Sequence, residues 1–108
     1  EKEPILPISA ILYPNYPNPF NSKTSITFYL LDSEIIELSI FDVNGNTVKK
    51  LMHEKRPAGN SIVNWDGKNM NGESVTSGIY FCLLKVNKRS FKNKIVLLKW
   101  SESSNNNR

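Results

Sequence analysis

Apolar and polar residues alternate with a period of two along most of this chain. In Thr24–Leu30, Ile26, Phe28 and Leu30 share one face, while Ser25, Thr27 and Tyr29 share the other. That alternation predicts a half-buried strand. Ile36, Leu38 and Ile40 repeat the pattern, with Glu37 and Ser39 turned outward. Thr47–Met52 predicts a third strand anchored by Val48 and Leu51, and its imperfect alternation marks an edge. Ser61–Trp65 sets Ile62 and Asn64 against Val63 and Trp65. Gly78–Val86 is apolar on both sides, with Tyr80, Cys82, Leu84 and Val86 against Ile79, Phe81 and Leu83, and so belongs in the middle of a sheet. Phe91–Lys99 follows and ends it.

Between these runs lie turn signals. Asn44-Gly45 offers the positive φ of a tight hairpin turn. Pro57–Asn60 and Asn87–Ser90 predict two more turns, and Asp66-Gly67 and Asn71-Gly72 bracket a loop. The stretch Tyr13-Pro14-Asn15-Tyr16-Pro17-Asn18-Pro19-Phe20 is neither helix nor central strand, because proline lacks an N–H and restricts its predecessor. It predicts an extended segment along an edge, with Tyr16 and Phe20 available to the core. Residues 1–12 read as a linker, 13–100 as one domain, and 101–108 as a mobile polar tail. Six or seven strands, turn signals at roughly 8–12-residue spacing and no helical periodicity predict an all-β, antiparallel β-sandwich, with a small barrel as the competing architecture.

Composition narrows the chemistry. The 108 residues contain one His and one Cys, His53 and Cys82. An internal disulfide is thereby excluded, and so in practice is a Cys/His zinc site. No nucleophile–base set stands out, so neither catalysis nor a cofactor is expected. Cys82 reads as a small buried hydrophobe and His53 as a surface residue. A calcium loop starting at Asp42 would need Gly at its sixth position and Glu at its twelfth, but finds Thr47 and His53 there. Asp42 and Gly45 therefore read as a turn pair. Trp65 reads as core, or, with Tyr13, Tyr16, Tyr29 and Trp100, as part of a sugar-stacking platform.

Charge is unevenly placed. The formal net charge is +4, yet Lys85, Lys88, Arg89, Lys92, Lys94 and Lys99 fall in one stretch without an acid. Lysines on an edge strand prevent sheet-to-sheet aggregation. The same cluster also suits an acidic protein partner or an anionic glycolipid headgroup. Nucleic acid is not an expected partner, since there is neither a recognition helix nor a glycine-aromatic strand motif.

The order of the motifs is more specific than any one of them. Asn15-Tyr16-Pro17-Asn18-Pro19-Phe20-Asn21 is followed by Ile40-Phe41-Asp42-Val43-Asn44-Gly45, Ala58-Gly59, Trp65-Asp66-Gly67, Gly72 and Ser77-Gly78-Ile79-Tyr80-Phe81. Across residues 12–100 this series resembles the C-terminal sorting domain of proteins exported by the type IX secretion system. It also resembles the immunoglobulin-like domain of flagellar hook-capping proteins, which shares the Trp-Asp-Gly and Gly-Ile-Tyr part. Two departures are Ser22-Lys23, where the family often has Pro and Ser, and the eight polar residues after Trp100.

The resemblance implies an immunoglobulin-like sandwich of about seven strands, cut from the C-terminus of a larger secreted or surface protein. It implies a non-catalytic address label, delivered through the periplasm and read by an outer-membrane translocon, a shuttle protein or a sortase. The upstream cargo domain and anionic lipopolysaccharide are further implied partners. Lys88, Arg89, Lys92, Lys94, Asn18, Pro19 and Phe20 are the candidate partner-facing residues, and the last strand is expected to be read by strand addition. Asp42, Gly45, Trp65, Asp66, Gly67, Gly78 and Tyr80 are the candidate structural motif. The alternatives are a passive binding or spacer module, such as a carbohydrate-binding domain on a secreted enzyme, and a hook-cap-like assembly domain.

Overall fold

The computed structural model describes residues 8–100. The expectations for residues 1–7 and for the 101–108 tail lie outside the described residues. Seven strands follow one another: β1 (Ala10–Leu12), β2 (Thr24–Leu30), β3 (Glu34–Asp42), β4 (Thr47–Arg56), β5 (Gly59–Trp65), β6 (Gly78–Val86) and β7 (Arg89–Leu97). They form a three-stranded sheet ordered β1-β2-β5 and a four-stranded sheet ordered β4-β3-β6-β7. All ladders are antiparallel, and none joins the two sheets. The molecule is therefore a sandwich and not a barrel.

The period-two pattern decides which residues meet between the sheets. Ile26, Phe28 and Leu30 of β2, Ile36, Leu38 and Ile40 of β3, Cys82, Leu84 and Val86 of β6, and Ile95 and Leu97 of β7 are all buried. Each strand contributes alternate residues to one shared core. β6 pairs with both β3 and β7, so it is internal, as its two apolar faces predict. β4 is an edge strand and its ladder shifts register twice, next to Val48 and Leu51. Two bulges account for the imperfect alternation of that segment.

The structure differs from the sequence reading at several boundaries. The chain enters the sandwich at Ala10, inside the stretch read as linker, because Ala10–Leu12 pair with Phe28–Leu30. β4 runs on to Arg56, so His53 lies within a strand. Pro57-Ala58 forms no hairpin. Those two residues carry the chain from β4 in one sheet to β5 in the other, and Gly59 and Asn60 already belong to β5. The β6–β7 turn is only Asn87-Lys88, with φ 58° at Asn87, and Arg89 already pairs with Val86.

Candidate functional site

The proline-rich segment clamps the outer edge of β7. The Phe20 N–H donates to the Val96 carbonyl at 3.0 Å, and the Leu98 N–H donates to the Phe20 carbonyl at 2.9 Å. The Asn18 side chain completes the clamp. Its amide donates to the Lys94 carbonyl at 3.2 Å, and its oxygen accepts from the Val96 N–H at 2.9 Å. A strand edge leaves alternate N–H and C=O groups unpaired, and this segment satisfies them along Lys94–Leu98. The Tyr16–Pro17 and Asn18–Pro19 peptide bonds are cis. Phe20 is 1% exposed, so it is core and not partner-facing surface, whereas Tyr16 is 79% exposed and does not enter the core. Expecting the last strand to be free for strand addition is therefore wrong along this stretch, because its partner is already in the chain.

Phe20 ends against Trp65, their ring centroids 5.5 Å apart, and Trp65 meets Tyr80 edge-on at 5.3 Å. Trp65 is fully buried and its indole N–H donates to the Lys68 carbonyl at 3.0 Å. The Tyr80 hydroxyl donates to the Thr76 carbonyl at 2.7 Å. The Trp-Asp-Gly and Gly-Ile-Tyr motifs thus supply two of three rings in one cluster. Asp66 accepts the Lys68 N–H, which turns the chain away from β5. Gly67, at φ +72°, faces Leu97 and Phe20. Gly78 opens β6.

Asp42 and Gly45 form the turn expected of them. Asp42 Oδ1 accepts the N–H groups of Asn44 and Asn46, both at 2.9 Å, and the Gly45 N–H donates to the Asp42 carbonyl. Positive φ falls on Gly45 (+85°) and not on Asn44, so the loop is a type I turn closed by a glycine bulge. Asn69–Glu73 repeats this arrangement. There Asn69 Oδ1 accepts from Asn71 and Glu73, and the Gly72 N–H donates to the Asn69 carbonyl. Among the described residues, no group of three His, Cys, Asp or Glu is placed to hold a metal ion.

The basic run is divided between two sides of the molecule. Arg89 turns toward β1 and donates to Ser9 Oγ at 3.3 Å. Lys88 stands exposed in the turn. Lys92 and Lys94 lie opposite Leu83 and Phe81, on the outward face of the four-stranded sheet. Lys85 shares that face opposite Glu37, and Lys50 of β4 shares it opposite Ser39. Between them run Phe41, Phe81 and Leu83, with Lys92 Nζ 5.1 Å from the centre of the Phe81 ring. Sequence reasoning missed Lys50 and Phe41 as parts of this surface, since cross-strand register alone brings them to it. It also missed Asn93, whose amide donates to the Tyr13 carbonyl at 2.9 Å and ties β7 to the end of β1.

The aromatic platform is reduced by the burial of Trp65. Tyr29 pairs opposite Ile11, Tyr13 hydrogen-bonds Thr27, and Tyr16 bridges to Ser25 on the three-stranded sheet. Burial also pushes the Cys82 thiol up, from 9.0 to about 12.

These features define a small immunoglobulin-like module: two antiparallel sheets, a three-ring cluster at one end, and a proline-rich lead-in sealing one edge. Residues 17–89 match the FlgD Ig-like domain, and the chain belongs to that family. Among solved structures, it is similar to dimeric latent PorU from Porphyromonas gingivalis (TM-score 0.66, 17% identity), covering 89% of this chain and 10% of that one. PorZ, a surface component of the type IX secretion system of the same organism, gives a TM-score of 0.58 at 19% identity, covering 82% of this chain and 11% of PorZ. FlgD from Xanthomonas campestris, described in connection with flagellar hook capping, gives 0.55 at 21% identity, covering 83% and 62%. This chain thus spans about a tenth of the length of the first two proteins. No match was found among curated proteins.

Proposed function

We propose that this domain is a non-catalytic C-terminal sorting signal, which directs a larger cargo protein across the outer membrane to the cell surface or medium. The observation that carries this reading is the Asn-Tyr-Pro-Asn-Pro-Phe lead-in. It goes beyond what the hook-capping resemblance shares, and Asn18 and Phe20 of this segment seal the last strand. The likeness to about a tenth of PorU and of a type IX surface component supports the same reading, since it fits a small module within a much longer chain. The apparatus would read a finished fold, because Asn18 and Phe20 reach their partners Lys94, Val96 and Leu98 only when the sandwich has closed.

A transplant tests this. Residues 1–100 are fused to the C-terminus of a neutral reporter carrying a signal peptide, in a host with a working type IX system. Reporter in the medium or on the surface is the expected result. A folded fusion held in the periplasm overturns it.

A second reading is a carbohydrate-binding module, favoured by the outer face of the three-stranded sheet. Tyr29, Thr27 and Ser25 of β2 lie on that face opposite Asn60, Ile62 and Asn64 of β5, with Ile11 beside Tyr29, and none of them is charged. Binding to neutral glycans that is lost in Tyr29→Ala would support it.

A further inference from the structure

The outward face of a sandwich sheet is ordinarily polar, but that of β3 and β6 carries Phe41, Phe81 and Leu83 beside Glu37, Ser39 and Lys85. Three adjoining clefts of ≈330, ≈180 and ≈270 Å³ run along it, and Phe41, Phe81 and Leu83 all line the first of them. The clefts share residues: Phe41 and Leu83 belong to the first two, Glu37 and Lys85 to the last two. Together they form one groove along β3, from Asp42 at one end to Ile35 at the other. A strand rises about 3.3 Å per residue, so that length is roughly 20 Å, room for about six extended residues.

Charge says what fits the groove. Lys50, Lys85 and Lys92 line it, and Lys94 stands beside it. Among the described residues, none of the four has a carboxylate within 4 Å. The two acids on the lining differ from them. Asp42 is engaged by its own turn, and Glu37 lies between Lys85 and His53 in the strand register. Lys92 is poised over the Phe81 ring, so one cation and one apolar wall meet at the same spot.

We propose that this groove binds an extended acidic segment of a partner protein. A large apolar side chain would seat against Phe41, Phe81 and Leu83, and flanking carboxylates would face Lys50, Lys85 and Lys92. The inference names the partner class for the sorting reading and rests on that reading only for who supplies the segment. The clamp on β7 favours the face over the β7 edge as the surface to be read, because the Lys94–Leu98 backbone is already paired.

The test uses the full chain and a fluorescein-labelled peptide, Gly-Asp-Glu-Phe-Asp-Leu-Asp-Glu-Gly, with a control in which Lys replaces every acid. The acidic peptide is expected to bind with an affinity that falls as salt rises, shifting the amide resonances of Phe41, Phe81, Leu83 and Lys92. The double variant Lys50→Glu/Lys92→Glu should weaken it by at least roughly tenfold, as expected for losing two charge contacts. Phe81→Ser should do the same, with circular dichroism confirming that each variant is folded. Absence of binding overturns the proposal, as does binding that the variants leave intact or that maps to another face. Capture of lipopolysaccharide micelles on this face in preference to the peptide also overturns it. The two readings fail separately. Export of the Lys50→Glu/Lys92→Glu fusion at the parent level would sink the groove and leave the sorting role standing. A periplasmic parent fusion whose domain still binds the peptide would do the reverse.

Discussion

If residues 18–20 are a structural clamp, truncating Phe20 should be among the more damaging single changes in the domain. Its side chain is 1% exposed and packs on Trp65 at 5.5 Å. Deleting a buried phenylalanine side chain costs about 3–5 kcal/mol, through lost transfer energy and the cavity left behind. A domain of this size is stable by only about 5–15 kcal/mol, so Phe20→Ala should leave it marginal. Asn18→Ala removes two hydrogen bonds at an exposed edge, to the Lys94 carbonyl and the Val96 N–H. At roughly 1 kcal/mol for each, it should cost about 1–2 kcal/mol. Tyr16→Ala, two residues away but 79% exposed, should stay within about 0.5 kcal/mol of the parent. Urea unfolding at 25 °C, followed by circular dichroism and by the fluorescence of buried Trp65, gives the three values. A Phe20→Ala variant within about 1 kcal/mol of the parent would refute the clamp, and so would a Tyr16→Ala variant as damaged as Phe20→Ala.

Two other sites offer independent checks. Asp42→Ala deletes the acceptor of two turn N–H groups and should cost about 1–2 kcal/mol, while Asp42→Asn, which keeps an acceptor oxygen, should cost less. At Gly45, where φ is +85° and nothing crowds the missing Cβ, Asn should be tolerated better than Val, because only backbone strain is at stake; thermal melting ranks all four variants. Cys82 should resist thiol reagents at pH 8 in the native state and react fully in urea. Its folded value of about 12 exceeds the ordinary 9.0, so the folded state holds a proton that the unfolded chain releases. The resulting contribution to stability is complete below about pH 9 and lost as pH rises toward 12. Urea midpoints that stay level from pH 9 to 11 in the parent, relative to a Cys82→Ala control, would contradict that burial.

The sequence by itself determined most of the secondary structure. Ile26, Phe28 and Leu30, or Tyr80, Cys82 and Leu84, point to one side because side chains on a strand alternate, and burying them requires no knowledge of what lies opposite. Asp42–Gly45 and Asn69–Gly72 are local in the same sense, since each turn is closed by groups within five residues. Only the tertiary structure decided the rest. Nothing in Pro57-Ala58 says that the next strand joins the other sheet, because the residues β5 pairs with lie some thirty to forty positions earlier, in β2. Asn18 and Phe20 read equally well as exposed motif or as core until Lys94, Val96 and Leu98 come to meet them across more than seventy residues. The run from Lys85 to Lys99 looks like one basic patch along the chain. Strand alternation sends Arg89 toward β1, and Lys92 and Lys94 to the opposite face, where the register of β3 and β4 delivers Phe41 and Lys50 beside them. Local pattern sets which way a side chain points. Long-range pairing sets what it meets, and a recognition surface is made of those meetings.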